Sequence, residues 1–145
     1  MTYDEIISEL GKNIGINDLC FSNEDNCSVI FDKKDEIVFE KSDGRMFMIA
    51  NLGASQGKED VYRMLLEGNY LGKFSAFGSI GINTDLEEFT LTRVFEGELD
   101  YREFEQSLAF FIVSMRKLKD LIIKGNDHQN IGRASLFSSV KITMV

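Results

Sequence analysis

The chain has 145 residues, with 24 acidic against 16 basic side chains and a formal net charge of −8. A chain of this length suits a single domain, and its negative charge argues against a general nucleic-acid binder, which needs lysine and arginine at the phosphates. Two cysteines are too few for a disulfide framework, and no apolar run approaches the ~20 residues that span a bilayer. We therefore expect a soluble protein of a reducing, cytoplasmic setting.

The first predicted elements are a helix and a three-stranded meander. Thr2-Tyr3-Asp4-Glu5 has the form of a capping box and begins an amphipathic helix that ends at Gly15. Short antiparallel strands are then predicted at Cys27 to Asp32, Glu36 to Glu40 and Arg45 to Leu52.

Apolar side chains alternate onto both faces of the third predicted strand. The second face of the sheet should therefore be covered by another part of the chain, a second subunit or a client. The methionines are either core filler or adaptable contacts for varied partners, and we assign Met46 and Met48 to the second role, on the exposed face.

The second half of the chain predicts a helix, two strands and a long final helix. The helix begins at Val61 and ends at Gly68 or Asn69, and the strands run from Phe74 to Ile82 and from Glu88 to Val94. Asp100 is the predicted cap of the helix from Tyr101 to Lys124. The order α-β-β-β-α-β-β-α indicates an α+β domain over residues 1–124, with a twisted antiparallel sheet, and leaves 125–145 as a tail.

Catalytic and metal-binding patterns find no support in the sequence. The single histidine, His128, lies in the tail, and Cys20 and Cys27 are separated by six residues with no second cysteine pair, which does not match zinc spacings. We predict no enzyme activity, no cofactor and no metal.

The pattern as a whole resembles the class I chaperones of type III secretion systems, the Tir chaperone family. The resemblance covers about residues 2 to 124 and depends on element order, size and acidity more than on any one motif. Its marks are the N-terminal amphipathic helix, the segments Phe47 to Gly53 and Leu65 to Asn69, a strand pair with Gly78, Gly81, Leu91 and Arg93, and the long last helix.

The resemblance implies a homodimer of the bacterial cytoplasm that binds the N-terminal chaperone-binding segment of a secreted effector in extended form, without ATP. The residues that it places in the dimer interface are Tyr62, Leu66, Tyr70, Phe77, Ile80 and Gly81. Those expected to contact the client are Ile7, Leu10, Phe21, Phe31, Phe39, Met46 and Met48. It leaves open whether the acidic surface meets the secretion ATPase or only keeps the dimer soluble. The alternative is a non-catalytic adaptor or regulatory module with the same dimeric fold.

Overall fold

A computed structural model describes residues 1–125 of the chain, so the tail prediction and His128 lie outside the described residues. The helices are α1 (Tyr3–Ile14), α2 (Tyr62–Asn69) and α3 (Tyr101–Lys124). The strands are β1 (Asn26–Phe31), β2 (Asp35–Ser42), β3 (Arg45–Ala54), β4 (Ser79–Asn83) and β5 (Glu88–Glu96). Short 3₁₀ turns flank α2 at Glu59–Val61 and Tyr70–Gly72. The predicted element order and the α+β class are confirmed.

The five strands form one antiparallel sheet in the order β1-β2-β3-β5-β4. The meander supplies three adjacent strands, and the β4–β5 hairpin joins it through β5, which pairs with β3. The two edges of the sheet are therefore β1 and β4, which come from opposite halves of the chain.

The helix ends are only partly as predicted. Thr2 and Glu5 form the full capping box, with the Glu5 amide 3.1 Å from Thr2 Oγ1 and the Thr2 amide 3.0 Å from Glu5 Oε1. Gly15 ends α1 in the left-handed conformation, with φ of 79°. Asp100 precedes α3 as predicted, but its side chain makes no capping hydrogen bond.

The helices cover one face of the sheet, which we call the inner face, and the core lies between them. The Phe104 ring of α3 lies 5.9 Å from both the Phe39 ring of β2 and the Phe95 ring of β5, measured between centroids. Met46 and Met48 of β3 are fully buried in the same core. Their assignment to the exposed face is wrong, because α1 and α3 cover the face onto which they project.

The predicted strand from Phe74 to Ile82 begins only at Ser79. Residues 70–78, which we call the 70–78 segment, instead form an irregular connection in which Leu71, Ala76 and Phe77 take left-handed φ values of 57°, 52° and 62°. Residues in this conformation cannot continue a strand. The run of apolar side chains predicts a strand all the same, because the sequence pattern carries no sign of the left-handed backbone.

Candidate interaction surfaces

A cluster of large apolar side chains is exposed on α2 and on the 70–78 segment. Leu66, Tyr70, Leu71 and Phe77 are 68%, 64%, 74% and 73% exposed. We call this cluster, together with Ile82 of β4, the α2–β4 surface. Single exposed apolar residues need no explanation, but a contiguous group of this size marks an interaction site.

Next to these side chains, α2 and the β4–β5 hairpin enclose an apolar groove of about 270 Å³. It is lined by Tyr62, Leu65, Leu66, Asn69, Ile80, Gly81, Ile82 and Phe89. Four of the predicted dimer residues are among them: Tyr62, Leu66, Ile80 and Gly81. The other two, Tyr70 and Phe77, lie in the 70–78 segment between α2 and β4. Four of the six therefore border one groove, although Ile80 itself is largely buried.

The Asn69 side chain occupies the outer edge of β4. Its Nδ2 donates to the Ile80 carbonyl oxygen at 2.9 Å, and its Oδ1 accepts from the Ile80 amide at 2.7 Å. The amide group thus imitates one residue of a neighbouring strand and satisfies both main-chain groups of Ile80 that face away from β5. At this residue the β4 edge is closed to the addition of another strand.

The 70–78 segment is fixed by hydrogen bonds although its conformation is strained. Ser75 Oγ donates to the Gly78 carbonyl oxygen at 2.9 Å, and Arg93 Nη1 donates to the Ala76 carbonyl oxygen at 2.8 Å. Left-handed backbone at a non-glycine residue costs of the order of 1–3 kcal/mol and persists only where the surroundings hold it. Here the surroundings hold the backbone while the Phe77 ring extends into solvent.

The opposite edge of the sheet is covered at its start but has no paired strand beyond it. The Ser22 amide donates to the Asn26 carbonyl oxygen at 2.8 Å, and the Asn26 amide donates to Ser22 Oγ at 3.4 Å. Strand β1 pairs with β2, and no other strand of residues 1–125 pairs with its second edge. A groove of about 650 Å³ lies beside the C-terminal end of β1, between α1 and α3. Ile30, on the outer face, and Phe31, on the inner face, both line this groove. We call it the β1 groove; it includes the edge of the sheet itself.

Most of the β1 groove is apolar, with polar groups at its two ends. At one end the Tyr101 hydroxyl lies near Asn13 and Glu105, and burial is the main cause that raises the pKa of Tyr101. At the other end Arg116 contacts both Asp32 and Asp35.

Asp35 is the centre of an ion-pair cluster that joins α3 to the turn between β1 and β2. Its carboxylate is almost fully buried and lies 2.7 Å from Arg116 Nε and 3.5 Å from Lys119 Nζ. Its hydrogen bond is the main cause that raises the pKa of Arg116. The cluster fixes the end of the β1 groove through charge pairing.

Six of the seven predicted client residues have little or no exposed surface. Ile7, Leu10, Phe31, Phe39, Met46 and Met48 belong to the core, and only Phe21 is half-buried, with Lys41 Nζ 4.7 Å from its ring centroid. The expectation that these side chains form an exposed surface is wrong for those six. Leu10 and Phe31 still line the β1 groove.

The apolar side chains that the sequence reasoning missed lie on the outer face of the sheet. Val38 pairs with Ile49 and Phe47 pairs with Val94, so these four residues form adjacent pairs across β2, β3 and β5. They alternate with polar residues on their own strands, such as Glu36, Glu40, Thr90 and Thr92. That polar alternation in β2 and β5 was the signal that marks this face as the solvent side.

Within residues 1–125, no group of three or more histidine, cysteine or acidic side chains could hold a metal ion. Cys20 is exposed and Cys27 is buried, both as free thiols, and burial raises the pKa of Cys27. The helices of this part of the chain are all too short or too polar to cross a membrane.

A sequence model of the Tir chaperone protein (CesT) family matches residues 5–119. The chain therefore belongs to the Tir chaperone family, and the predicted resemblance is confirmed. Its function is that of a type III secretion chaperone, which binds effectors. Among curated proteins, no sequence matches the chain.

Solved structures share the fold at low sequence identity. A chain of the ExsC–ExsE complex is 19% identical with a TM-score of 0.71, and the alignment covers 83% of this chain and 92% of that one. A chain of the HopA1–SchA chaperone–effector complex is 16% identical with a TM-score of 0.69, over 81% and 93%. The structure of the Yersinia pestis type III secretion chaperone SycH with a stable fragment of YscM2 gives 14% identity and a TM-score of 0.64, over 81% and 99%.

Proposed function

We propose that this chain acts as a cytoplasmic homodimer that holds the N-terminal segment of a secreted effector in extended form, without ATP or any catalytic step. The observation that carries the proposal is the part of the β1 edge that has no paired strand, beside a partly apolar groove of about 650 Å³. An extended peptide can add main-chain hydrogen bonds at such an edge while its side chains enter the groove. Because ordering a disordered segment costs entropy, the effector must gain many modest contacts over a wide surface.

A second copy of the chain is the proposed occupant of the α2–β4 surface. Four large side chains there are more than 60% exposed, next to an apolar groove on the same side. Association through this surface would leave the β1 edges of both protomers open, so one effector segment could contact both. The secretion ATPase is a further candidate partner, for the acidic surface of the dimer.

Affinity capture from the host under secretion-permitting conditions tests the proposal. We expect one larger protein with two copies of this chain, protected from protease only over an N-terminal segment of the captured protein. Capture of a folded partner that is protected throughout would instead favour the adaptor alternative. If nothing is captured, or if the purified chain is a monomer at micromolar concentration, the proposal fails.

A pair of matched variants then locates the binding site. Ile30→Asp adds a charge at the β1 edge, beside the β1 groove, whereas Val94→Asp adds the same charge on β5, at another exposed β-branched residue of the same outer face. We expect only the first to weaken effector capture. Equal loss in both variants would place the effector across the outer face instead of at the β1 edge.

A further inference from the structure

Arg93 of β5 is a half-buried cation without a charged partner in the described part of the chain. The central carbon of its guanidinium lies 5.3 Å from the centroid of the Phe95 ring, on the inner face. It forms no ion pair with any carboxylate of residues 1–125. Burial disfavours the charged form and lowers the pKa of Arg93.

The hydrogen bond that Arg93 does make leads directly to the 70–78 segment. Its Nη1 donates to the carbonyl oxygen of Ala76 at 2.8 Å, one residue before Phe77. A charged donor makes this bond stronger than a neutral one would. The segment also lies close against β5: a Cβ added at Gly78 would come within 2.2 Å of the Thr92 carbonyl oxygen.

The conformation held in this way buries Ala76 but leaves the Phe77 ring in solvent. Ala76 and Phe77 both have left-handed φ values, which non-glycine residues rarely adopt. In return the Phe77 ring is 73% exposed, so it buries little apolar area in the core. Strain of this kind that holds a large apolar ring in solvent suggests that the ring is buried elsewhere, in a contact with another chain.

We propose that Arg93 is the positioning residue of the α2–β4 surface: its bond to the Ala76 carbonyl sets the backbone that presents Phe77 to a second copy of the chain. This inference rests on the proposed homodimer. Arg93 acts through Phe77 and makes no contact with the partner itself. The arginine fork suits this task better than a lysine ammonium, because it can donate in a fixed direction from a half-buried position.

A double-mutant cycle on the dimer dissociation constant tests the role. The variants are Arg93→Met, which keeps an apolar stem and removes the donor, Phe77→Asn, which tolerates the left-handed backbone, and the two combined. Sedimentation velocity over a dilution series gives the constant for each variant. We expect each single change to raise the constant roughly tenfold or more and the double variant to add little, since both remove the same contact.

Two controls separate positioning from general stability. Arg45→Met removes an arginine whose ion pair with Glu96 is on the surface, and it should leave the dissociation constant unchanged. Urea unfolding is measured for all variants at a concentration where each is monomeric. The midpoint of Arg93→Met should stay within a small shift of the wild-type midpoint. If Arg93→Met does not fold, Arg93→Lys takes its place in the same cycle.

The outcomes are distinct. A wild-type chain that is monomeric at all concentrations overturns the homodimer and this inference together. A wild-type dimer whose constant is unchanged by the Arg93 variant overturns the inference alone, and so do strictly additive effects of the Arg93 and Phe77 changes. Non-additive weakening with an unchanged unfolding midpoint supports it.

Discussion

The two edges of the sheet differ in what their main-chain groups can still bind. At the β4 edge, the Asn69 side chain satisfies both outward groups of Ile80. At the β1 edge no strand of residues 1–125 pairs with the outer side, and a groove lined by Ile30 and Phe31 lies alongside. Ser22 covers β1 at Asn26, so we expect strand addition along the rest of β1 and contact through side chains at β4.

The two edges are also held in place by different forces. The turn that ends β1 is fixed to α3 by an ion-pair cluster around the buried Asp35. The segment that precedes β4 is fixed by bonds from Asn69, Ser75 and Arg93 to main-chain groups. The comparison teaches that one sheet can offer one edge for a peptide and protect the other, so that two kinds of partner do not compete.

The largest expected effect comes from a substitution in the core, which lies between the two edges of the sheet. Met48 is fully buried on the inner face, so Met48→Glu places a charge in an apolar site and should cost several kcal/mol, a large part of the ~5–15 kcal/mol that stabilises a domain. We expect loss of folding, seen as loss of the cooperative urea transition by circular dichroism. Val94→Glu, on the outer face, is the matched control and should still fold. A folded Met48→Glu protein with impaired effector capture would restore Met48 to the client surface.

The next prediction compares one substitution of an exposed side chain near each edge of the sheet. Ile30→Asp should weaken effector binding, and Leu66→Asp should weaken self-association, each by roughly 10- to 100-fold if the residue is a hot spot. Both side chains are exposed, so neither change should alter the fold. Sedimentation velocity and titration with the captured effector segment give the two affinities. If either variant lowers both affinities equally, the separation of the edges is wrong.

Element order could be read from the sequence because short-range signals agree along the whole chain. The capping box at Thr2 and Glu5, the glycine after α1 and the turns of the meander each fix one boundary locally. Four of the six dimer candidates line one groove, because they come from α2 and the strand that packs beside it; their role in a dimer stays a prediction.

Which face of the sheet is buried could not be read from β3 alone. The two-residue alternation of a strand places Met48 and Phe47 on opposite faces. Both faces of β3 are apolar, however, and only the packing of α1 and α3 decides which face is buried. The hydrogen bonds between Asn69 and Ile80 could not be predicted from the sequence either. An asparagine at a helix end predicts a cap, and its bond to Ile80 depends on how α2 packs beside β4.

Charge should matter most at the β1 end of the sheet. Asp35→Asn keeps the size of the side chain and removes the charge that pairs with Arg116 and Lys119. A fully buried pair can cost 3–5 kcal/mol to break, but the side chains of Arg116 and Lys119 are 34% and 32% exposed, so we expect about 2 kcal/mol. Urea unfolding measures the loss, and high salt should reduce the difference from wild type. A difference unaffected by salt would point to packing instead of charge.

At the β4 edge the corresponding substitution removes an uncharged side chain. Asn69→Ala leaves the outward amide and carbonyl of Ile80 without their partner, and we expect a loss of about 1–2 kcal/mol that does not depend on salt. Asn69→Asp restores the acceptor but not the donor and should recover part of it. The opened edge should also add a slower, concentration-dependent association in sedimentation experiments. If Asn69→Ala stays as stable and as soluble as wild type, the Asn69 side chain has no role in protecting the β4 edge.

The smallest effect concerns the cap of α1, the helix that forms one wall of the β1 groove. Hydrogen bonds from the backbone and the side chain of Thr2 lower the pKa of Glu5 below its usual 4.5. A lowered pKa in the folded state means that this stabilisation is present above pH 4.5 and is lost as the pH falls through the folded-state value. We therefore expect the urea midpoint of Glu5→Gln to fall less than that of wild type as the pH drops below 4.5. If wild type and variant keep the same difference from pH 6 down to pH 3, the carboxylate is not the group that titrates, and the cap acts through its hydrogen-bond geometry alone.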